Sequence, residues 1–140
     1  MTLPDIAQWS LPGVDLVVLS ACQTAVSGEL GQGEEILGFG YQIQRTEARA
    51  AIASLWSVND GSTQVLMNAL YAALQADYSP TAALGLAQQA LIEGDSSVLG
   101  VDIRAEIDLV TGSSASPHLE SITLSHPYYW APFILIGNGL

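Results

Sequence analysis

The clearest hydrophobic feature of the chain is a short continuous apolar run at residues 16–19, which leads into small residues and the only cysteine, Cys22. Such a run is typical of a β-strand covered on both faces, as in the middle of a parallel sheet packed between helices. Polar groups collect beyond the carboxyl ends of parallel strands, because side chains there leave the packed layer. The pattern therefore predicts a buried strand that delivers Cys22, flanked by Ser20, Gln23 and Thr24, to one edge of a sheet.

Apolar residues at helical spacing predict three helices farther along the chain. They cover residues 34–45, a segment that follows the turn and cap signal at residues 59–62 and runs to about residue 76, and the segment from Pro80 to Gly94. Gly38 and Gly40 fall inside the first helix, where each costs about 1 kcal/mol relative to alanine. Close approach of this helix to a sheet would explain them.

The remaining pattern predicts two more strands and two irregular segments. Residues 50–56 are small or β-branched and favour a buried strand, although the alanines also permit a helix. Residues 133–136 form a last apolar strand, closed by a Gly-Asn-Gly sequence. Prolines and a glycine interrupt residues 1–14, which form a lead-in with at most a short helix, and residues 95–125 lose periodicity and indicate a loop or insertion.

Charge narrows the classes of partner. The 140 residues form at most one domain, with a 49% hydrophobic fraction that suits an α/β layer structure. Fourteen acids stand against three arginines and no lysine, which gives a formal net charge of -11. Such a surface repels phosphate backbones and anionic lipids, so we expect no nucleic-acid partner and no membrane surface. A basic partner or substrate fits better.

Cysteine use and hydropathy bear on the compartment. One cysteine cannot form an internal disulfide, which fits a reducing environment. The N-terminus lacks the pattern of a secretory signal, and no apolar run approaches the length of a membrane span. We expect a soluble, cytoplasmic protein.

Four sequence blocks follow one another in the order found in a known family. They are Leu-Ser-Ala-Cys-Gln-Thr (19–24), Gly-Glu (33–34), Ala-Ser-Leu-Trp-Ser-Val-Asn-Asp (53–60) and His-Pro-Tyr-Tyr-Trp-Ala-Pro-Phe (126–133). With these blocks the chain resembles a CHAT domain, a family that resembles the caspases and separase and consists of cysteine endopeptidases and their relatives. The resemblance implies an α/β fold, a three-layer caspase-like sandwich with a mostly parallel sheet, and it favours the strand at residues 50–56.

The resemblance also shows what these residues lack. The family's catalytic histidine lies in a His-Gly pair upstream of the cysteine strand, and no His-Gly pair occurs in the sequence. We therefore expect that the chain is only the C-terminal part of the domain and that its sheet lacks the N-terminal strands. A start site placed too late, a split gene or a truncated relic would explain their absence. Residues 1–140 would form one partial domain. Its segments are a lead-in (1–14), the cysteine strand, the Trp-Ser-Val-Asn-Asp strand and helices (15–94), a variable loop (95–125) and the final strand block (126–140).

Cys22 is the candidate nucleophile. A thiol attacks a peptide carbonyl only as the thiolate, and the reaction also needs a base and an oxyanion hole. In the family the missing histidine is that base, and the cysteine's own amide supplies one of two oxyanion donors. The alternative for a lone cysteine is a small buried hydrophobic residue, and the family blocks around Cys22 favour the nucleophile.

Asp60 has two competing interpretations. Its position before Gly61 and Ser62 makes it a good helix cap. The resemblance instead implies an acid at the floor of the pocket for the substrate residue before the cut, where a carboxylate selects arginine or lysine. Three other polar residues are interpreted as structural: they are His126, His118 and the helix-start acid Glu34, for which a place in the substrate groove is the alternative.

The sequence thus predicts the C-terminal part of a CHAT-type cysteine endopeptidase domain, inactive alone, with a protein or peptide substrate that carries Arg or Lys before the cut. A second chain or a repeat domain would supply the N-terminal half. We expect no cofactor and no metal. The alternative is a non-catalytic interaction or regulatory module that completes its sheet with another chain.

Overall fold

The computed structural model describes residue 6 and residues 8–19, 34–58, 60–93 and 124–140, and every structural statement below concerns these residues. Their strands are β1 (Leu16–Leu19), β2 (Ala50–Ser54) and β3 (Phe133–Gly137). Their helices are α1 (Glu34–Arg45), α2 (Asp60–Gln75), α3 (Pro80–Glu93) and α4 (Pro127–Trp130). The chain divides into two compact units, residues 1–57 with 132–140 and residues 58–131.

The first unit contains the three strands in the order β1-β2-β3. β1 and β2 are parallel, with Leu16 opposite Ala50 and Leu19 opposite Ala53. The α/β class is therefore confirmed. The expectation of a mostly parallel sheet does not hold for the described strands, because β3 runs antiparallel to β2 and the sheet is mixed.

The antiparallel direction of β3 follows from where the chain returns to the sheet. The backbone N–H of Leu55, just past the end of β2, donates a hydrogen bond to the carbonyl oxygen of Pro132 at 3.0 Å. β3 thus starts beside the point where β2 stops, with Phe133 opposite Ser54. A strand that starts there can pair with β2 only by running back along it.

Helix α1 packs against one face of this sheet. Ile43 of the helix shares a core with Leu19 and with two alanines of β2, Ala51 and Ala53. Such small side chains allow the close helix approach that the glycines of α1 predict. That approach is confirmed at Gly40, where an added Cβ would lie 3.1 Å from Cγ2 of Ile136.

The lead-in is an integral part of the first unit. Ile6 is only 1% exposed and joins the core, with Trp9 packed against it. The N–H of Leu11 donates to the carbonyl oxygen of Thr46 at 2.7 Å, and the N–H of Arg49 donates to the carbonyl oxygen of Val14 at 3.0 Å. Loop-to-loop hydrogen bonds, which have no periodic signature, therefore hold this segment against the turn between α1 and β2.

The second unit is built on the α2–α3 pair. Buried side chains cover most of the circumference of α2, including Val65, Leu66, Ala69 and Leu70. The exposed residues of α2 are Asp60, Gln64, Tyr71 and Gln75, whose spacing places them on one narrow solvent-facing arc. None of the helices in the described ranges is long and apolar enough to cross a membrane.

The predicted helix bounds agree closely with the structure. α1 covers the predicted residues 34–45, and α2 ends one residue before the predicted end at about 76. Ser79 caps α3 as its sequence indicates, with its Oγ accepting from the N–H of Ala82 at 3.4 Å. The variable segment 95–125 falls almost entirely outside the described residues, which resume at Leu124.

Candidate functional site

The carboxyl end of the parallel β1–β2 pair is the candidate site. β1 ends at Leu19, which is 8% exposed and lies opposite Ala53 of β2. The candidate nucleophile, Cys22, lies outside the described residues. It follows Leu19 by three residues in the sequence. The expectation that Cys22 lies at this sheet edge therefore stays a prediction.

A buried hydroxyl lies at the same edge. Ser54 follows Ala53 directly, ends β2 and is 3% exposed. Ser54 takes part in a polar interaction. The sequence interpretation did not single it out, although a hydroxyl at the end of an otherwise apolar, alanine-rich strand was a signal that could have found it.

Asp60 is the first residue of α2. Its side chain is exposed, and within the described residues it has no salt bridge and no hydrogen bond. A carboxylate in the first helical turn is stabilised by the positive end of the helix dipole. The structure thus supports a role for Asp60 in starting the helix, and it leaves the carboxylate accessible.

His126 has the structural role that its sequence block predicts. It caps α4, with Nδ1 accepting a hydrogen bond from the N–H of Tyr128 at 3.2 Å. Its ring also meets the ring of Tyr129 edge-on at a centroid distance of 6.5 Å. One of its two nitrogens is therefore engaged in holding a turn.

Trp130 ties the same turn to its surroundings. Its Nε1–H donates to the carbonyl oxygen of Ser125 at 3.0 Å, and its own carbonyl oxygen accepts from Nε2 of Gln88 on α3 at 3.1 Å. Trp130 therefore has a structural, hydrogen-bonding role in this turn.

Two other polar residues of the sequence analysis have little or no structural description. Glu34 begins α1, as the helix-start interpretation requires, and its side chain is outside the described part of the structure. His118 lies wholly outside the described residues. Among the side chains that are described, no group of three His, Cys, Asp or Glu could hold a metal ion.

The two described arginines lie at the opposite end of the strands. Arg49 precedes β2 and forms an exposed salt bridge with Asp15 at 3.0 Å. Arg45 ends α1, where its guanidinium lies 5.9 Å from the ring centroid of Tyr41. The strands β1, β2 and β3 contain no charged residue, so none of them adds a positive charge to the candidate site.

Comparison with known families supports the block pattern. A family model described as the CHAT domain matches residues 1–138 of the 140-residue chain. A search of curated proteins and a search of solved structures each found no match.

Proposed function

Because the chain belongs to the CHAT domain family, a family of caspase-like peptidases, we propose that it forms part of a cysteine endopeptidase domain in which Cys22 is the nucleophile. The family match over residues 1–138 carries this proposal. It is supported by the placement of the end of β1, three residues before Cys22, at the carboxyl edge of a parallel strand pair. That edge is where catalytic groups of open α/β sheets collect.

The chemistry assigned to Cys22 is acyl transfer. Its thiolate attacks the carbonyl carbon of the scissile peptide bond, and the carbonyl electron pair moves to oxygen. Backbone N–H groups, including that of Cys22, stabilise the oxyanion. The C–N bond then breaks, the amine takes a proton from the protonated base, and water hydrolyses the thioester.

The 140 residues do not contain the histidine of a His-Gly pair that serves the family as the catalytic base. The sequence has no His-Gly pair, and the described His126 serves as a helix cap. We therefore assign the base to polypeptide outside this sequence, in a caspase-like three-layer domain of which this chain is the C-terminal part. A second chain or a repeat-containing protein is the partner that would provide it.

Asp60 is the proposed determinant of substrate choice. It ends the Trp-x-Val-x-Asp spacing of its family block, and its exposed carboxylate has no basic partner within the described residues. A carboxylate in a substrate pocket binds arginine or lysine through a charge-assisted hydrogen bond. The net charge of -11 also favours the approach of basic substrates.

The test uses the chain alone and the chain completed with the family segment that carries a His-Gly pair. The completed domain should cleave arginyl and lysyl peptides, and Cys22→Ala should abolish cleavage. The chain alone should be slower by about 10² to 10⁴-fold, the usual contribution of a catalytic base. Cleavage by the isolated chain that disappears in Cys22→Ala would show that it contains its own base.

Asp60 is tested separately from the nucleophile. In the completed domain Asp60→Ala should reduce cleavage after arginine and leave alkylation of Cys22 unchanged, because alkylation does not use the substrate pocket. Equal wild-type rates for arginyl and leucyl peptides would remove the pocket role.

The absence of a His-Gly pair also favours a second candidate function. In that case the chain is a non-catalytic module that completes a sheet with another chain. A completed domain that binds its upstream segment tightly and cleaves no peptide would support the module and reject the peptidase.

A further inference from the structure

Asn138 differs from the other asparagines of the sequence, Asn59 and Asn68, because it alone is followed by a glycine. An asparagine loses its side-chain amide when the backbone nitrogen of the next residue attacks the side-chain carbonyl carbon, Cγ. A side chain on that next residue obstructs the attack, and glycine has none. The Asn138-Gly139 pair is therefore the position in the chain where this reaction meets the least steric resistance.

The structure leaves both reacting groups of this pair available. Asn138 is exposed and directly follows Gly137, the last residue of β3. It thus lies outside the helices and strands, whose hydrogen bonds oppose the backbone rotation that the attack requires. Gly139 is buried, and its N–H has no hydrogen-bond partner within the described residues. Removing the proton from this nitrogen therefore breaks no hydrogen bond of the described structure.

The hydrogen bonds of Asn138 favour the attack at Cγ. Its Oδ1 accepts from the N–H of Leu140 at 3.3 Å. A donor at a carbonyl oxygen stabilises the negative charge that develops there when a nucleophile adds to the carbon. The backbone N–H of Asn138 donates to the carbonyl oxygen of Arg49 at 2.7 Å. Neither bond uses Nδ2, the group that has to leave.

We propose that Asn138 is a site of spontaneous deamidation. The nitrogen of Gly139 gives up its proton to solvent and forms a bond to Cγ. The Cγ–Nδ2 bond then breaks, and Nδ2 takes a proton and leaves as ammonia. Water opens the resulting succinimide ring at either carbonyl, which gives aspartate or isoaspartate. The reaction consumes water alone and involves no oxidation or reduction.

The reaction adds a carboxylate at the end of the sheet where Arg49 is paired with Asp15. That salt bridge is exposed, and exposed ion pairs contribute little to stability. We therefore expect the aspartate product to remain folded. The isoaspartate product inserts an additional carbon atom into the main chain next to the buried Gly139, and it should be the less stable of the two.

The test is incubation of the folded chain at neutral and at mildly alkaline pH, followed by peptide mass analysis and ion-exchange chromatography. The peptide with Asn138 should gain the mass difference between an amide and a carboxylic acid, and ammonia should be released in equal amount. Conversion should be faster at the higher pH, because the attacking nitrogen has to lose its proton. The aged chain should contain a species that coelutes with the Asn138→Asp variant.

Asn68 is the internal control, because it lies inside α2 and is followed by Ala69. It should keep its amide in the same samples. Asn138→Gln should abolish the conversion at position 138, because its longer side chain does not form the five-membered ring. The same incubation in urea measures the unfolded chain, and the folded chain should react within a few-fold of that rate. Conversion in urea without conversion of the folded chain would show that the fold protects Asn138, and it would overturn the proposal.

Discussion

Gly40 of α1 lies so close to Ile136 of β3 that a Cβ added to the glycine would be 3.1 Å from Cγ2 of the isoleucine. This separation is shorter than an ordinary van der Waals contact, so the isoleucine would have to shift. The contact explains why α1, whose other residues mostly favour a helix, has a glycine on its buried side. Gly85, in the middle of α3, has no atom within 4 Å of an added Cβ.

These two glycines give the first prediction. Gly85→Ala should raise the free energy of unfolding by about 0.5–1 kcal/mol, because alanine is the better helix former and nothing obstructs it. Gly40→Ala should gain less or lose stability, because the contact with Ile136 offsets the same helical advantage. Urea unfolding of both variants measures the difference. Equal stabilisation would show that the helix and sheet are farther apart than described.

The second prediction concerns Gly137, which has a φ of 106° and whose added Cβ would lie 2.5 Å from the carbonyl oxygen of Arg49. Gly137→Ala should cost more than about 2 kcal/mol, because the contact adds to the strain of an unusual backbone conformation. Gly13 is the control, with a φ of 78° and open space around it. Gly13→Ala should show the backbone strain alone, and similar losses for both variants would argue against the contact.

The third prediction concerns Asp77, which follows α2 with a φ of 62°. Asp77→Gly should be more stable than Asp77→Ala by about 1 kcal/mol, because only glycine adopts this left-handed conformation without a steric penalty. Both variants remove the same carboxylate, so their difference excludes any effect of charge. Thermal unfolding that ranks alanine equal to glycine would contradict the assigned backbone conformation.

The fourth prediction separates structure from catalysis at His126. His126→Ala should destabilise the chain by about 0.5–2 kcal/mol, because the N–H of Tyr128 loses its acceptor. His126→Asn keeps an acceptor suited to a helix cap and should retain most of that stability. In the completed domain His126→Asn should also retain peptide cleavage. A folded His126→Asn variant without cleavage would assign this histidine to the chemistry.

Much of the fold was predictable from the sequence because its helices and strands are locally encoded. The periodicity of residues 34–45 gave both ends of α1, and Ser79 with Pro80 gave the start of α3. The segment at residues 50–56 was ambiguous from its alanines, and the family blocks correctly favoured the strand that the structure shows at Ala50–Ser54.

The site was predictable only in part. The parallel pairing of β1 with β2 is observed, and the expectation that Cys22 lies beyond the end of β1 stays a prediction because Cys22 lies outside the described residues. Ser54 was missed because a single serine has no periodic signature. Its burial at the end of β2 depends on the tertiary structure and cannot be read from residue type.

The sequence by itself determined the α/β class, the helix and strand positions and the family, because local propensity and ordered motifs carry those properties. Only the tertiary structure decided the direction of β3, the anchoring of Ile6 in the core and the contact between Gly40 and Ile136. Each of these depends on residues far apart in the chain. Their pairing is set by where the chain returns to the sheet and by how closely a helix can approach it, and neither has a local pattern that a sequence displays.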